Sequence, residues 1–95
     1  MNQKININID PAVAKGTYCN LAMITHSRQE FVFDFAQNLP GMSSAQVVSR
    51  VIMTPEHAKR VLAALQDNIG KYERSFGEID LVGGTYVVPQ GGAEA

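Results

Sequence analysis

Residues 54–77 read TPEHAKRVLAALQDNIGKYERSFG and give the most specific structural signal in the chain. Thr54 is a favourable N-cap, and Pro55 occupies the first helical position, where its missing amide hydrogen costs nothing. Gly77 suits the position just past the end of a helix. Between these residues apolar side chains recur at intervals of three and four, which predicts one long amphipathic helix. Its apolar stripe consists of Ala58, Val61, Leu62, Leu65, Ile69, Tyr72 and Phe76.

The chain upstream of this helix contains four segments with the pattern of β-strands: residues 4–10, 17–25, 30–36 and 45–53. In the first, isoleucine alternates with asparagine, which is the period-two pattern of a strand with one buried face. In the third, Phe31, Phe33 and Phe35 fall on one face. We therefore predict an α+β fold, with a four-stranded antiparallel sheet followed by one long C-terminal helix.

Turn and tail residues complete this prediction. The polar residues 25–29 favour a hairpin, and Pro40-Gly41 favours a type II turn. Residues 1–77 then form a single α+β domain. Residues 78–95 hold three acids, no bases and four glycines, and we expect them to be flexible or to add an edge strand.

Length and composition exclude several classes of protein. The 95 residues, of which 45% are hydrophobic and 18% charged, fit one globular domain. A net charge of −1 argues against a nucleic-acid binder that works by bulk positive charge. No apolar run reaches the roughly 20 residues of a membrane span, and the polar start is not typical of a signal peptide. A single cysteine, Cys19, favours a cytoplasmic protein.

The sequence offers no recognisable catalytic or metal-binding motif. It lacks the P-loop, the dinucleotide-binding glycine pattern, the H-E-x-x-H pair and the C-x-x-C pair. Two histidines and one cysteine do not make a zinc site without several carboxylates. Cys19 lies in an apolar predicted strand and is expected to be buried. We therefore expect no enzyme activity, no metal and no cofactor.

Polar residues at otherwise apolar or turn positions are the remaining candidates for a binding site. On this ground the predicted binding residues are Asn20, His26, Arg28 and Arg50. Asp34 and Arg50 each place a charge on a strand that is otherwise fit for burial. They are expected to pair with each other across the sheet or with a partner, and a structural ion pair is the favoured interpretation.

The strands predict that one chain is not sufficient. Residues 17–25 and 45–53 are apolar on both faces, so the sheet should be covered on both faces. One amphipathic helix covers one face, and a second copy of the chain in an isologous homodimer is the simplest source of the other layer. The alternative is that residues 79–88 fold back over the open face.

The chain also resembles a bacterial and archaeal family of small proteins that is known only as a domain of unknown function. The resemblance extends over residues 17–79, with Cys19 at a position where alanine is commoner. The residues that carry it are YCNLAMITHS (18–27), EFVFDF (30–35), LPG (39–41), SRVIMTPEHAK (49–59), LAALQDNI (62–69), Tyr72-Glu73 and Phe76-Gly77. The resemblance implies a small cytoplasmic protein, and it brings no established activity and no catalytic residues.

The predicted topology is similar to that of two further classes of protein. One is the single-stranded-DNA-binding transcriptional coactivators of the PC-four type, and the other is the SecB-type export chaperones. Likeness of fold does not establish function. The favoured hypothesis is a homodimeric, non-enzymatic protein-interaction module with an unknown protein partner. The alternatives are a single-stranded nucleic-acid-binding or transcription-associated protein and a SecB-like peptide-binding chaperone.

Overall fold

The computed structural model describes residues 4–81 and 87–89. It is an α+β fold in which a three-stranded antiparallel sheet is followed by a long helix and a short further strand. The elements in chain order are α1 (Pro11–Ala14), β1 (Leu21–His26), β2 (Phe31–Gln37), β3 (Gln46–Met53), α2 (Pro55–Phe76) and β4 (Val87–Pro89). The order of strands across the sheet is β3-β2-β1-β4.

A tight hairpin joins β1 to β2, as predicted. The amide of Ser27 donates to the carbonyl oxygen of Glu30 at 2.9 Å. The hydroxyl oxygen of Ser27 accepts from the amides of Gln29 and Glu30, both at 3.3 Å. A serine hydroxyl that bonds the backbone two and three residues on stabilises a turn locally. The hairpin therefore fixes the antiparallel register of β1 and β2.

The connection between β2 and β3 contains the predicted turn at residues 39–42. Gly41 has φ +88°, and the amide of Met42 donates to the carbonyl of Leu39 at 3.2 Å. A positive φ at the third position of a type II turn is the reason that glycine is needed there. The β2–β3 ladder that follows has one irregularity, between Phe35 and Ala36.

The fourth strand of the sheet is not the one predicted. Residues 4–10 form no strand, and β4 pairs instead with the other side of β1, in parallel, with Ala22 opposite Val87. The prediction of a strand at 4–10 was wrong for the single chain, because an alternating pattern selects a sheet face but does not supply a strand to pair with. Residues 82–86 and 90–95, which include most of the predicted tail, lie outside the described residues.

Helix α2 begins and ends where the sequence predicts. The hydroxyl oxygen of Thr54 accepts from the amide of His57 at 3.1 Å, which caps the first turn. Gly77, with φ +97°, donates its amide to the carbonyl of Glu73 at 2.9 Å. Two ion pairs of the i, i+4 type lie on the polar side of α2: Glu56–Arg60 and Asp67–Lys71.

The interior of the single chain is very small. Among residues 4–81, Ala36 and Asp34 are buried, at 1% and 7% exposure, and no residue of α2 is buried. Cys19 is exposed, so the expectation of a buried thiol was wrong: β1 begins at Leu21, and Cys19 precedes it. A chain that buries so little of its apolar surface has not completed its core.

Candidate interaction surface

Three phenylalanines organise one face of the sheet, which we call the phenylalanine face. Phe31, Phe33 and Phe35 alternate along β2, so their side chains point to the same side. The rings of Phe33 and Phe35 stack with centroids 6.3 Å apart. Residues opposite these rings on neighbouring strands share the face; they are Ala22, Ile24, His26, Ser49, Val51 and Met53. All three phenylalanines are half-buried in the single chain.

An open apolar groove of about 470 Å³ lies between the phenylalanine face and the first turns of α2. Ile24, Phe31 and Phe33 form its sheet wall. The helix wall consists of Pro55, Ala58, Lys59, Val61, Leu62 and Leu65. A concave surface of this size with one cation at its rim suits an apolar occupant.

The apolar stripe of α2, which we call the α2 stripe, extends past this groove and is not covered by the described part of the chain. Leu62 is 52% exposed, Leu65 54%, Tyr72 51% and Phe76 75%. Tyr72 and Phe76 contact each other, with ring centroids 5.0 Å apart. A stripe that runs the length of a 22-residue helix and whose large side chains are 36–75% exposed is a contiguous apolar patch, which monomeric soluble proteins rarely leave open.

The opposite face of the sheet carries the ion pair that the sequence suggested. Arg50 donates through Nε to one oxygen of Asp34 at 2.6 Å and through Nη2 to the other at 3.0 Å, so the pair is bidentate. The two residues are cross-strand partners in the β2–β3 ladder. The hydrogen bond from Arg50 lowers the pKa of the Asp34 carboxyl from its ordinary value of 3.8, although partial burial opposes the shift; charge attraction adds to the lowering. The predicted pairing of Asp34 with Arg50 is confirmed.

Asn20 acts within the fold at the start of β1. Its side-chain amide donates to the carbonyl of Asn38 at 3.0 Å, and its side-chain oxygen accepts from the amide of Asn38 at 2.9 Å. Its own backbone amide donates to the carbonyl of Ala36 at 3.1 Å. Asn20 therefore ties the beginning of β1 to the chain that leaves β2.

The four predicted binding residues do not converge on one site. His26 ends β1 and stacks on Phe31, with ring centroids 5.4 Å apart, so it belongs to the phenylalanine face. Arg50 lies on the opposite face with Asp34. Arg28 is exposed in the β1–β2 hairpin, and Asn20 lies about 20 Å from His26, since each strand residue advances the chain by about 3.3 Å.

The groove includes residues that the sequence analysis did not single out as site residues, among them Ile24, Pro55 and Lys59. In the sequence, Ile24 is marked as a face residue by its alternation with Ala22 in an apolar strand. Lys59 is marked only by its position beside the α2 stripe. Neither signal shows that helix and sheet face each other across a gap, because that arrangement is set by tertiary structure.

Within residues 4–81 and 87–89 there is no group of three or more His, Cys, Asp or Glu side chains placed to hold a metal ion. No helix among the same residues has the length and apolar character needed to span a bilayer. A second cleft, of about 300 Å³, lies on the phenylalanine face and is lined by Thr17, Cys19, Phe35, Ser49 and Val51.

Comparison with known proteins identifies a family. Residues 1–81 match the model of a family described as "Protein of unknown function (DUF3467)". The match confirms the resemblance drawn from residues 17–79 and extends it to include the N-terminal segment. No curated protein and no solved structure matches the chain.

The Asp34–Arg50 pair predicts that Arg50→Ala lowers the free energy of unfolding more than Arg60→Ala does, although the two arginine side chains are equally exposed. The side chains of Arg50 and Arg60 are both 62% exposed, but their carboxylate partners, Asp34 and Glu56, are 10% and 77% exposed. Arg60→Ala removes an exposed pair and should cost about 0.5 kcal/mol or less. Arg50→Ala leaves a shielded carboxylate without its donor and should lower the free energy of unfolding several-fold more.

This difference is measured by urea unfolding of both variants at pH 7 and at one protein concentration. Arg50→Lys is the companion variant, because it keeps the charge and loses the bidentate geometry. Equal losses for Arg50→Ala and Arg60→Ala would show that the ion pair on the sheet is no more important than an exposed pair on the helix.

The lowered pKa of Asp34 also predicts a dependence of stability on pH. Because the folded-state pKa lies below 3.8, the pair stabilises the fold fully above about pH 4, and this contribution is lost as pH falls through the folded-state pKa. Asp34→Asn should remove this part of the acid sensitivity. Below pH 4 the unfolding midpoint of this variant should therefore change less with pH than that of the unmodified protein. The control is Asp67→Asn, which removes a carboxylate that is 61% exposed in the Lys71 pair. An unchanged profile for Asp34→Asn would contradict the assignment.

Proposed function

This chain belongs to the protein family of unknown function DUF3467, and we propose that it is a cytoplasmic, non-enzymatic protein-interaction module that works as a homodimer. In this proposal a second copy covers the α2 stripe and the phenylalanine face. The observation that carries the proposal is the exposure of the α2 stripe in one chain, beside a phenylalanine face that is only half-buried. The single cysteine is what supports a cytoplasmic location.

The extent of the exposed apolar surface supports a stable partner rather than a passing contact. Six large side chains of the α2 stripe are 36–75% exposed: Val61, Leu62, Leu65, Ile69, Tyr72 and Phe76. Full burial of a large apolar side chain contributes about 1.5–3 kcal/mol, so completing the burial of each half-exposed one contributes roughly 1 kcal/mol. On two copies related by a twofold axis this contribution is made twice.

The described part of the C-terminal region supports a second copy over the alternative that the chain covers itself. Ile79 is 41% exposed and Leu81 is 93% exposed, so neither residue is packed under the groove. Strand β4 continues the sheet beside β1 and does not lie across the phenylalanine face. These residues leave the groove open, and the same apolar surfaces on another copy are complementary to it.

The placement of the polar residues supports a role in binding rather than catalysis. Catalysis needs a nucleophile, a base and an orienting group in one pocket. The polar groups singled out here are spread over both faces and both ends of the sheet. Asn20 and Asp34 use their hydrogen-bonding capacity within the fold.

The phenylalanine face also favours a second candidate, binding of single-stranded nucleic acid, because its stacked rings resemble a platform for bases. The distribution of cations weighs against it. Arg50 lies on the other face with Asp34, and Lys59 lies at the rim of the groove. A fluorescent oligothymidylate titrated at low and moderate salt separates the two. We expect no binding, whereas affinity that falls steeply with salt would favour the nucleic-acid function.

The dimer surface is tested by placing one aspartate on either side of α2. Leu65→Asp puts a carboxylate in the α2 stripe, where association would have to bury it, and should weaken the dimer on the order of 100-fold, about 2.7 kcal/mol. Ala63→Asp puts the same charge on the polar side and should leave the dimer intact. Light scattering gives the mass of each variant, and circular dichroism checks that both retain the helix.

Two results would contradict the proposal. One is an unmodified protein that is monomeric at micromolar concentration. The other is a Leu65→Asp variant with the mass and dissociation constant of the unmodified protein, because the α2 stripe would then not be the interface.

A further inference from the structure

The N-terminal segment, residues 4–10, is a strand sequence without a strand partner in its own chain. Residues 4–10 have no regular secondary structure in the single chain, and Asp10, with ψ 137°, caps α1. Ile5, Ile7 and Ile9 are 75%, 85% and 64% exposed. Three exposed isoleucines are a costly surface to leave in water, and the family match includes this segment.

The sheet has one open edge of matching length. β4 occupies the side of β1, whereas β3 has no neighbour on its outer side among the described residues. The eight residues of β3 span about 26 Å and the seven residues of the N-terminal segment about 23 Å, at about 3.3 Å per residue. An edge strand of this length is a template for pairing with another chain.

The outer edge of β3 also lacks the features that usually prevent such pairing. It contains no proline and no lysine, and its one charged residue, Arg50, is held toward β2 by Asp34. Val47 and Ile52 are 50% and 52% exposed. Natural edges that stay unpaired are guarded by charges, prolines or short length.

We infer that residues 4–10 of one copy add as a strand to the edge of β3 in a second copy. The inference rests on the proposed homodimer and specifies how each copy completes the sheet of the other. Among the described residues neither the segment nor the edge has a strand partner, and a second copy supplies one for each. A reciprocal exchange about a twofold axis pairs both segments and leaves neither edge open.

The pleat of the sheet assigns the faces of the added strand. Ile5, Ile7 and Ile9 extend the phenylalanine face beside Val51, and the intervening asparagines extend the face of Arg50. This register puts the isoleucines on the face of Val51 and Met53, and the asparagines on the face of Arg50 and Ile52. A slip of one residue would put the isoleucines beside the ion pair.

Single-cysteine proteins test this arrangement directly. All variants are made in a Cys19→Ser background. The Ile7→Cys protein is mixed and refolded with the Ser49→Cys protein, and in a separate sample with the Val51→Cys protein. One protein of each pair carries a mass tag, so that the heterodimer is recognised by its mass. Oxidation should give a covalent heterodimer in at least one pairing, because a disulfide needs Cα atoms within about 7 Å. Asn8→Cys, which lies on the other face, is the matched control and should cross-link several-fold less with the same partners.

The outcomes separate this inference from the proposed function. A dimeric mass with the heterodimeric disulfide supports both. A dimeric mass without cross-linking of Ile7→Cys, or with cross-linking of Asn8→Cys to the same extent, overturns the exchanged strand and leaves the dimer standing. A monomeric mass overturns both.

Amide hydrogen exchange on the unmodified protein gives a second test that depends on no substitution. Alternate amides of residues 5–9 should be protected by about 100-fold or more relative to an unpaired chain, since strand pairing engages every second amide of an edge strand. Unprotected amides across residues 5–9 in a dimer would overturn the inference.

Discussion

One constraint governs the structure: in the described part of the chain, no apolar surface covers the α2 stripe. The helix is fixed locally by its caps at Thr54 and Gly77 and runs for 22 residues, so its stripe is longer than the small sheet beside it. The phenylalanine face, which forms the other wall of the groove, is also only partly covered by the described residues. These two surfaces meet across a gap, and the gap accounts for the minimal interior of the single chain.

The sheet itself is held by interactions that need no partner. The bidentate Asp34–Arg50 pair joins β2 to β3 on one face, the Ser27 turn joins β1 to β2, and Asn20 joins the start of β1 to Asn38. Two of the four polar site candidates, Asn20 and Arg50, are therefore engaged in holding the sheet, whereas His26 stacks on Phe31 and Arg28 is exposed in the hairpin. The groove between the sheet and α2 is lined mainly by apolar residues, and this is the reason that the proposed role is binding.

The sequence predicted best those features that are determined by neighbouring residues. Thr54, Pro55 and Gly77 bound a helix through their own hydrogen bonds and dihedral angles, and Pro40-Gly41 does the same for a turn. The prediction of a strand at residues 4–10 was wrong because strand pairing depends on a distant partner, which the described part of the chain does not provide. The prediction that Cys19 is buried was wrong because β1 begins two residues later, at Leu21. The three residues of β4 are too few to give a periodic signal, and their parallel pairing follows from tertiary structure alone.

The mass of the unmodified chain in solution tests the central claim most directly. Sedimentation equilibrium across the micromolar range, combined with urea unfolding at the same concentrations, reports both assembly and its link to folding. We expect twice the chain mass of 10.3 kDa, or a higher even multiple, and an unfolding midpoint that rises with protein concentration. A species of 10.3 kDa that unfolds cooperatively, with a midpoint independent of concentration, would contradict it.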